Sequence, residues 1–116
     1  MKRISTHVLD VALGRPAAGV AVRLDLLPPA SAGGGTVIVT STATDDDGRV
    51  ADLLDGAPLA AGVYRLTFQT GAYFAATGRE AFYPRVQVTF EVTAPDQHHH
   101  VPLLLSPFGY STYRGS

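Results

Sequence analysis

Residues 97–116, QHHHVPLLLSPFGYSTYRGS, decide how the rest of the chain is read. Three consecutive histidines lead into an apolar segment over residues 101–105, Pro107-Phe108-Gly109 mark a turn, and a second short segment ends in Tyr113-Arg114-Gly115-Ser116. This order predicts a strand, a turn and a strand, because Pro and Gly punctuate the chain where it reverses. Side chains alternate across a strand, so His98, His100, Pro102 and Leu104 share one face and His99, Val101, Leu103 and Leu105 the other. The second face is the core face. His100 is left on the opposite surface beside Leu104, with the polar tail folding back toward it. Chain ends usually fray, so a tail this rich in aromatic residues, Arg and Gly needs something to order it. Tyr110 and Tyr113 can pack, Arg114 and a terminal carboxylate can hydrogen-bond, and Gly115 permits close backbone approach.

Working outward, period-two alternation recurs with turn signals between. Residues 4–10 form a first strand, stopped by Gly14-Arg15-Pro16. In residues 20–27 Val20, Val22, Leu24 and Leu26 alternate with Ala21, Arg23 and Asp25, and Pro28-Pro29 end the run. Residues 30–35 read as a small flexible loop. Residues 36–44 are almost all β-branched, as strands prefer. Asp45-Asp46-Asp47-Gly48 make a tight turn that delivers Arg49 onto a short strand ending near Leu53. Tyr64, Leu66 and Phe68 form the core face of a strand over residues 63–70. Val86, Val88, Phe90 and Val92 alternate with Gln87, Thr89 and Glu91 in the clearest strand of the chain. Residues 72–77 are the one helical candidate. The expectation is an all-β, two-sheet antiparallel sandwich of about eight strands in one domain, residues 1–116.

Composition narrows the function. The chain has no cysteine, so disulfides and thiolate chemistry are excluded. A net charge of −1, with nine Lys and Arg spread along the chain, argues against nucleic-acid and anionic-membrane partners. Charged residues make up only 16%, against about 25% in typical domains, which predicts surface buried against copies of the same chain. The N-terminus has Lys2 and Arg3 but no apolar stretch behind them, and no run approaches the ~20 residues of a membrane span. A soluble, cytoplasmic protein is expected.

His7 lies mid-strand on the face of Ser5 and Leu9. Alone it reads as a surface imidazole, but His100 also occupies a face that is not core, and two imidazoles can divide base and acid roles near neutral pH. Arg49 reads either as a turn residue paired with Asp45, Asp46 or Asp47, or as a planar donor fork aimed at developing oxyanion charge or an anionic heterocycle. His98 and His100 share a face, and a metal site would need His7 as a third ligand. Zinc commonly takes three or four well-placed protein ligands, and no carboxylate stands at a telling spacing. His99 reads as a polar strand start. Phosphate loops, nucleophile elbows and HExxH helices are absent, which points to water as the nucleophile.

The tail, together with Ser5-Thr6-His7-Val8-Leu9-Asp10, Thr44-Asp45-Asp46-Asp47-Gly48-Arg49 and Thr70-Gly71-Ala72-Tyr73-Phe74, resembles the transthyretin-like hydrolases of purine breakdown, the 5-hydroxyisourate hydrolases. The resemblance spans nearly the whole chain, and its tail motif is highly specific. It implies a transthyretin-like sandwich acting without metal or cofactor, and a homotetramer with sites in a channel between dimers. Carried over motif by motif, it implies catalytic roles for His7, Arg49, His100 and Ser116, and substrate contacts from His98, Tyr113, Arg114 and Gly115. One departure is His99, where such enzymes commonly have Tyr; alternation points it away from the site.

The reaction so implied is hydrolytic opening of 5-hydroxyisourate at a ring amide, with His7 taking a proton from water, Arg49 favouring charge on the attacked carbonyl, and His100 and Ser116 positioning the ring and shuttling the departing proton. The rival readings are a non-catalytic carrier of planar aromatic ligands and a metal-binding sandwich using His7, His98 and His100. Presence of the two histidines, Arg49 and the Arg-Gly-Ser ending favours the enzyme over a transthyretin carrier.

Overall fold

The computed structural model describes residues 3–29 and 34–116. Among them the elements run β1 (Ile4–Asp10), β2 (Arg15–Pro16), β3 (Ala21–Leu27), β4 (Val37–Ala43), β5 (Arg49–Val50), β6 (Gly62–Phe68), α1 (Thr70–Ala76), β7 (Val86–Val92), β8 (His99–Ser106) and β9 (Gly109–Thr112). One sheet has the order β2-β1-β8-β9, with β5 also paired to β1, and the other has the order β4-β3-β6-β7. The nine strands include two of only two residues each, β2 and β5. They dock side by side on β1, β2 at Leu9 and Asp10 and β5 at Thr6 and His7. Most of the loop expected over residues 30–35 lies outside the described residues.

The two-sheet sandwich follows the alternation. Tyr64, Leu66 and Phe68 on β6, Val22 and Leu24 on β3, and Leu103 and Leu105 on β8 are all buried and meet between the sheets. Ile4 and Val8 join them from β1. Each such side chain contributes about 1.5–3 kcal/mol when taken out of water. Phe74 anchors α1 into the same core.

One feature departs from the antiparallel expectation. β1 and β8 pair in parallel, from Ile4 opposite His99 to Asp10 opposite Leu105. Every other strand pairing among the described residues is antiparallel. Parallel neighbours need a long crossover, and here the whole second sheet lies between them in sequence. The strand after the Asp-Gly turn is also shorter than expected, ending at Val50; beyond it Leu53 is tied back by its amide to the Ile4 carbonyl at 2.8 Å.

Below the core a buried polar cluster fastens α1 to β1. Asp10, fully buried, accepts hydrogen bonds from Tyr73 (2.8 Å) and from Arg79 Nη2 (2.6 Å). The Arg79 guanidinium also lies 4.8 Å above the Phe74 ring. Among the described residues no helix is long and apolar enough to cross a membrane.

Candidate active site

Arg49 is placed by its turn. Asp45 Oδ1 accepts hydrogen bonds from the amides of Asp47 and Arg49, both at 2.9 Å, and its carbonyl accepts from the Gly48 amide at 2.9 Å. The whole turn is pressed onto β1, with the Val8 amide bonded to the Gly48 carbonyl at 2.7 Å. Gly48 has φ 74°, and a Cβ there would strike the Val8 carbonyl, so only glycine closes this turn. The carboxylate of Asp45 is thus used on backbone amides. No carboxylate among the described residues forms a salt bridge with Arg49, so the reading of Arg49 as a turn ion pair does not hold. β5 sets Arg49 in register with His7.

The parallel pairing of β1 with β8 does the rest. It sets Ser5 opposite His100. Ser5 is nearly buried, and its Oγ lies 2.7 Å from His100 Nδ1 and 2.9 Å from His98 Nε2. The two imidazoles share one strand face with planes 17° apart. On the other side the tail closes in: the Gly115 amide donates to the His100 carbonyl at 2.8 Å, an isolated antiparallel bridge. Arg49, His98, His100 and Ser116 then line one open cavity of 310 Å³ together with Arg3, Ser5 and Thr6.

Among the described residues no acidic side chain lines this cavity, whose positively charged side chains are Arg3 and Arg49. Burial holds the His100 pKa below the ordinary 6.5, helped by the neighbouring His98, His7 and Arg49. Local desolvation by neighbouring groups, and then Arg3, lower the more exposed His98 in the same direction. Both rings are therefore held in the neutral form near neutral pH, able to accept or pass a proton, beside a guanidinium that favours negative charge on a bound molecule. No group of three His, Cys, Asp or Glu side chains able to hold a metal ion occurs among the described residues.

The expected residues divide. His7 is half-buried on the Ser5 face of β1, beside Arg49, but does not line the cavity of the protomer. Tyr113 and Arg114 line a second, mostly apolar cavity of 140 Å³ at the open edge between β7 and β9, with Val88, Phe90, Glu91 and His99, and His100 borders both cavities. Arg114 Nη2 donates there to Gln97 Oε1 at 3.1 Å. His99 is buried on the core face as alternation predicts, with Nδ1 2.9 Å from the Gln97 carbonyl oxygen. Sequence reasoning missed Ser5 and Arg3. Ser5 shares a face with His7, but only the register of β1 on β8 shows that it stands between two histidines.

A transthyretin-type sandwich that gathers Arg, His and a Gly-Ser tail around one polar cavity defines a class of small-molecule-handling domains. The chain belongs to the HIUase/transthyretin family, whose profile matches residues 4–115. It is 48% identical to the 5-hydroxyisourate hydrolase of Caulobacter vibrioides, with all of both chains covered. Among solved structures it is similar to 5-hydroxyisourate hydrolase of Klebsiella pneumoniae, at a TM-score of 0.85 and 42% identity over the whole of both chains. Sea bream transthyretin, solved with thyroxine, superposes at a TM-score of 0.87 with 32% identity, covering 97% of this chain and 93% of that one.

Proposed function

We propose that this protein hydrolyses 5-hydroxyisourate, opening its six-membered ring at an amide bond to give 2-oxo-4-hydroxy-4-carboxy-5-ureidoimidazoline in urate breakdown. The observation that carries the reading is the single cavity lined by Arg49, His98, His100 and Ser116 without an acidic side chain. Such a lining suits a planar, oxygen-rich heterocycle whose carbonyl becomes negatively charged when attacked.

Water is the nucleophile. His7, beside Arg49, takes its proton; Arg49 holds the attacked carbonyl and favours the charge that grows on it. His100 delivers a proton to the departing ring nitrogen, and Ser116 with Gly115 closes the ring in place. His98 completes the substrate wall. Tyr113 and Arg114 approach the site from the second cavity, which His100 also lines.

The same reading makes the protein a cytoplasmic homotetramer with its sites at the interface between dimers. Support for self-association comes from the exposed ladder of Phe82, Tyr83 and Tyr110, whose successive ring pairs pack edge to face at 5.0 and 5.3 Å. Phe108 is also exposed, at 67%. Light scattering of the purified protein tests the tetramer, and cell fractionation the compartment.

Ultraviolet spectroscopy on freshly generated 5-hydroxyisourate tests the activity. Catalysed decay well above the spontaneous rate is the expected result. Decay at the spontaneous rate would leave the carrier reading that the likeness to sea bream transthyretin favours.

A further inference from the structure

The Ser5 hydroxyl stands between two imidazole nitrogens, 2.7 Å from His100 Nδ1 and 2.9 Å from His98 Nε2, and it carries only one proton. It can donate to one ring and must accept from the other. When both rings are neutral, their tautomers are therefore tied. If His98 presents N–H at Nε2, Ser5 donates to His100 Nδ1, and the remaining proton of His100 sits on Nε2. If instead His100 presents N–H at Nδ1, its Nε2 is a bare lone pair and cannot act as an acid.

Burial differs along the line. His98 is exposed, Ser5 is 6% exposed, and His100 is half-buried beneath Gly115. The three groups thus run from solvent to the side chain that faces the substrate. Around His100 the other ionisable groups are His7 and Arg49, and around His98 they are Arg3, His99 and Asp52. Arg49 and His7 disfavour positive charge on His100, and Glu91 borders the second cavity that His100 also lines, so the proton that His100 gives up is best replaced from the exposed end.

From this geometry we infer that Ser5 is a positioning residue that sets the tautomer of His100 and passes protons between it and the exposed His98. The inference rests on the hydrolytic reading above. When the departing ring nitrogen takes the Nε2 proton of His100, the Ser5 hydroxyl proton moves to His100 Nδ1, the Nε2 proton of neutral His98 moves to Ser5 Oγ, and water protonates His98 at Nδ1. Four N–H or O–H bonds break and four form. All three groups end neutral, and the hydroxide left in solvent takes up the proton that His7 removed from the attacking water.

Two measurements test this. Long-range proton–nitrogen correlation spectra of the intact protein read the tautomers without turnover: a neutral His98 protonated at Nε2 must coexist with a His100 unprotonated at Nδ1, and Ser5→Ala must release that tie while Ser5→Thr keeps it. Spectra showing N–H at both Ser5-facing nitrogens of neutral rings, or tautomers unmoved in Ser5→Ala, overturn the inference. In the decay assay Ser5→Ala and His98→Gln each lower kcat by about 10-fold to 100-fold, with KM little changed in Ser5→Ala, below the ~10²–10⁴ that removal of an acid–base group costs. The double variant is no worse than either single one, because both break one path. Multiplying effects, or a Ser5→Ala kcat within twofold of the parent, sink it. If the parent protein shows no catalysed decay, the hydrolytic reading fails instead, and the spectra still decide whether the hydroxyl couples the rings.

Discussion

Gly115 lies so close against the His100 ring that a Cβ in its place would come within 2.5 Å of His100 Cδ2. The contact is backbone on imidazole, held by the Gly115 amide on the His100 carbonyl. A methyl group there must push the tail or the ring aside. Gly115→Ala should therefore lower kcat/KM by about 10²-fold, the cost of a misplacement near 1 Å. The melting temperature should hardly change, since Gly115 is only half-buried and near the chain end. Steady-state kinetics beside a thermal melt check this; a variant with normal kinetics would show that the tail does not position His100.

The two histidines and Arg49 should each be costly to replace. His7→Asn and His100→Asn should each reduce kcat by about 10²–10⁴. Arg49→Lys keeps the charge but loses the planar fork, and should cost about 10²–10³. Single-turnover rates on freshly prepared substrate measure all three. Near-normal turnover in both histidine variants would remove the acid–base assignment.

Acid should act on the histidines first. His98 and His100 have folded pKa values below the ordinary 6.5, so both stay neutral to a lower pH than free imidazole. An activity loss from His100 protonation should appear below pH 6.5 in a kcat/KM profile. The stability linkage has the same sign. Above 6.5 both states hold neutral rings and stability is full; as pH falls toward the depressed folded pKa, the unfolded chain takes up protons first, and stability drops. Urea midpoints measured from pH 8 to pH 5 should decline, and His98→Gln with His100→Gln should flatten that decline.

Asp10 is a structural counterpart far from this chemistry. It is fully buried, and although burial alone would raise its pKa, the hydrogen bonds from Arg79 and Tyr73 together hold it below 3.8. Its contribution is present above that value and fades as pH falls through the lowered one. Asp10→Ala leaves Tyr73 and Arg79 without their acceptor and should cost about 1–3 kcal/mol, reduced on the Arg79 side because that guanidinium is partly exposed. Chemical denaturation measures the loss, and an unchanged midpoint would show that water satisfies both donors.

What the amino-acid order determines alone is local. Alternation in residues 86–92 and 101–105 names the core face, and with it the exposure of His98 and the burial of His99, because a strand sends successive side chains to opposite sides. The turn over residues 45–48 likewise announces itself through Gly48, since few other residues take its backbone angle. Pairing between distant strands leaves no such trace: nothing in the order of residues says that β1 lies parallel to β8 rather than antiparallel to it. That register alone brings Ser5 between His98 and His100, and sets His7 against Pro102. The placement of Tyr113 and Arg114 in a second cavity that meets the first at His100 is also a tertiary matter, because the tail crosses His100 at Gly115 and turns its neighbours toward the other sheet. Local chemistry chooses faces; only the packing of whole sheets chooses which faces meet.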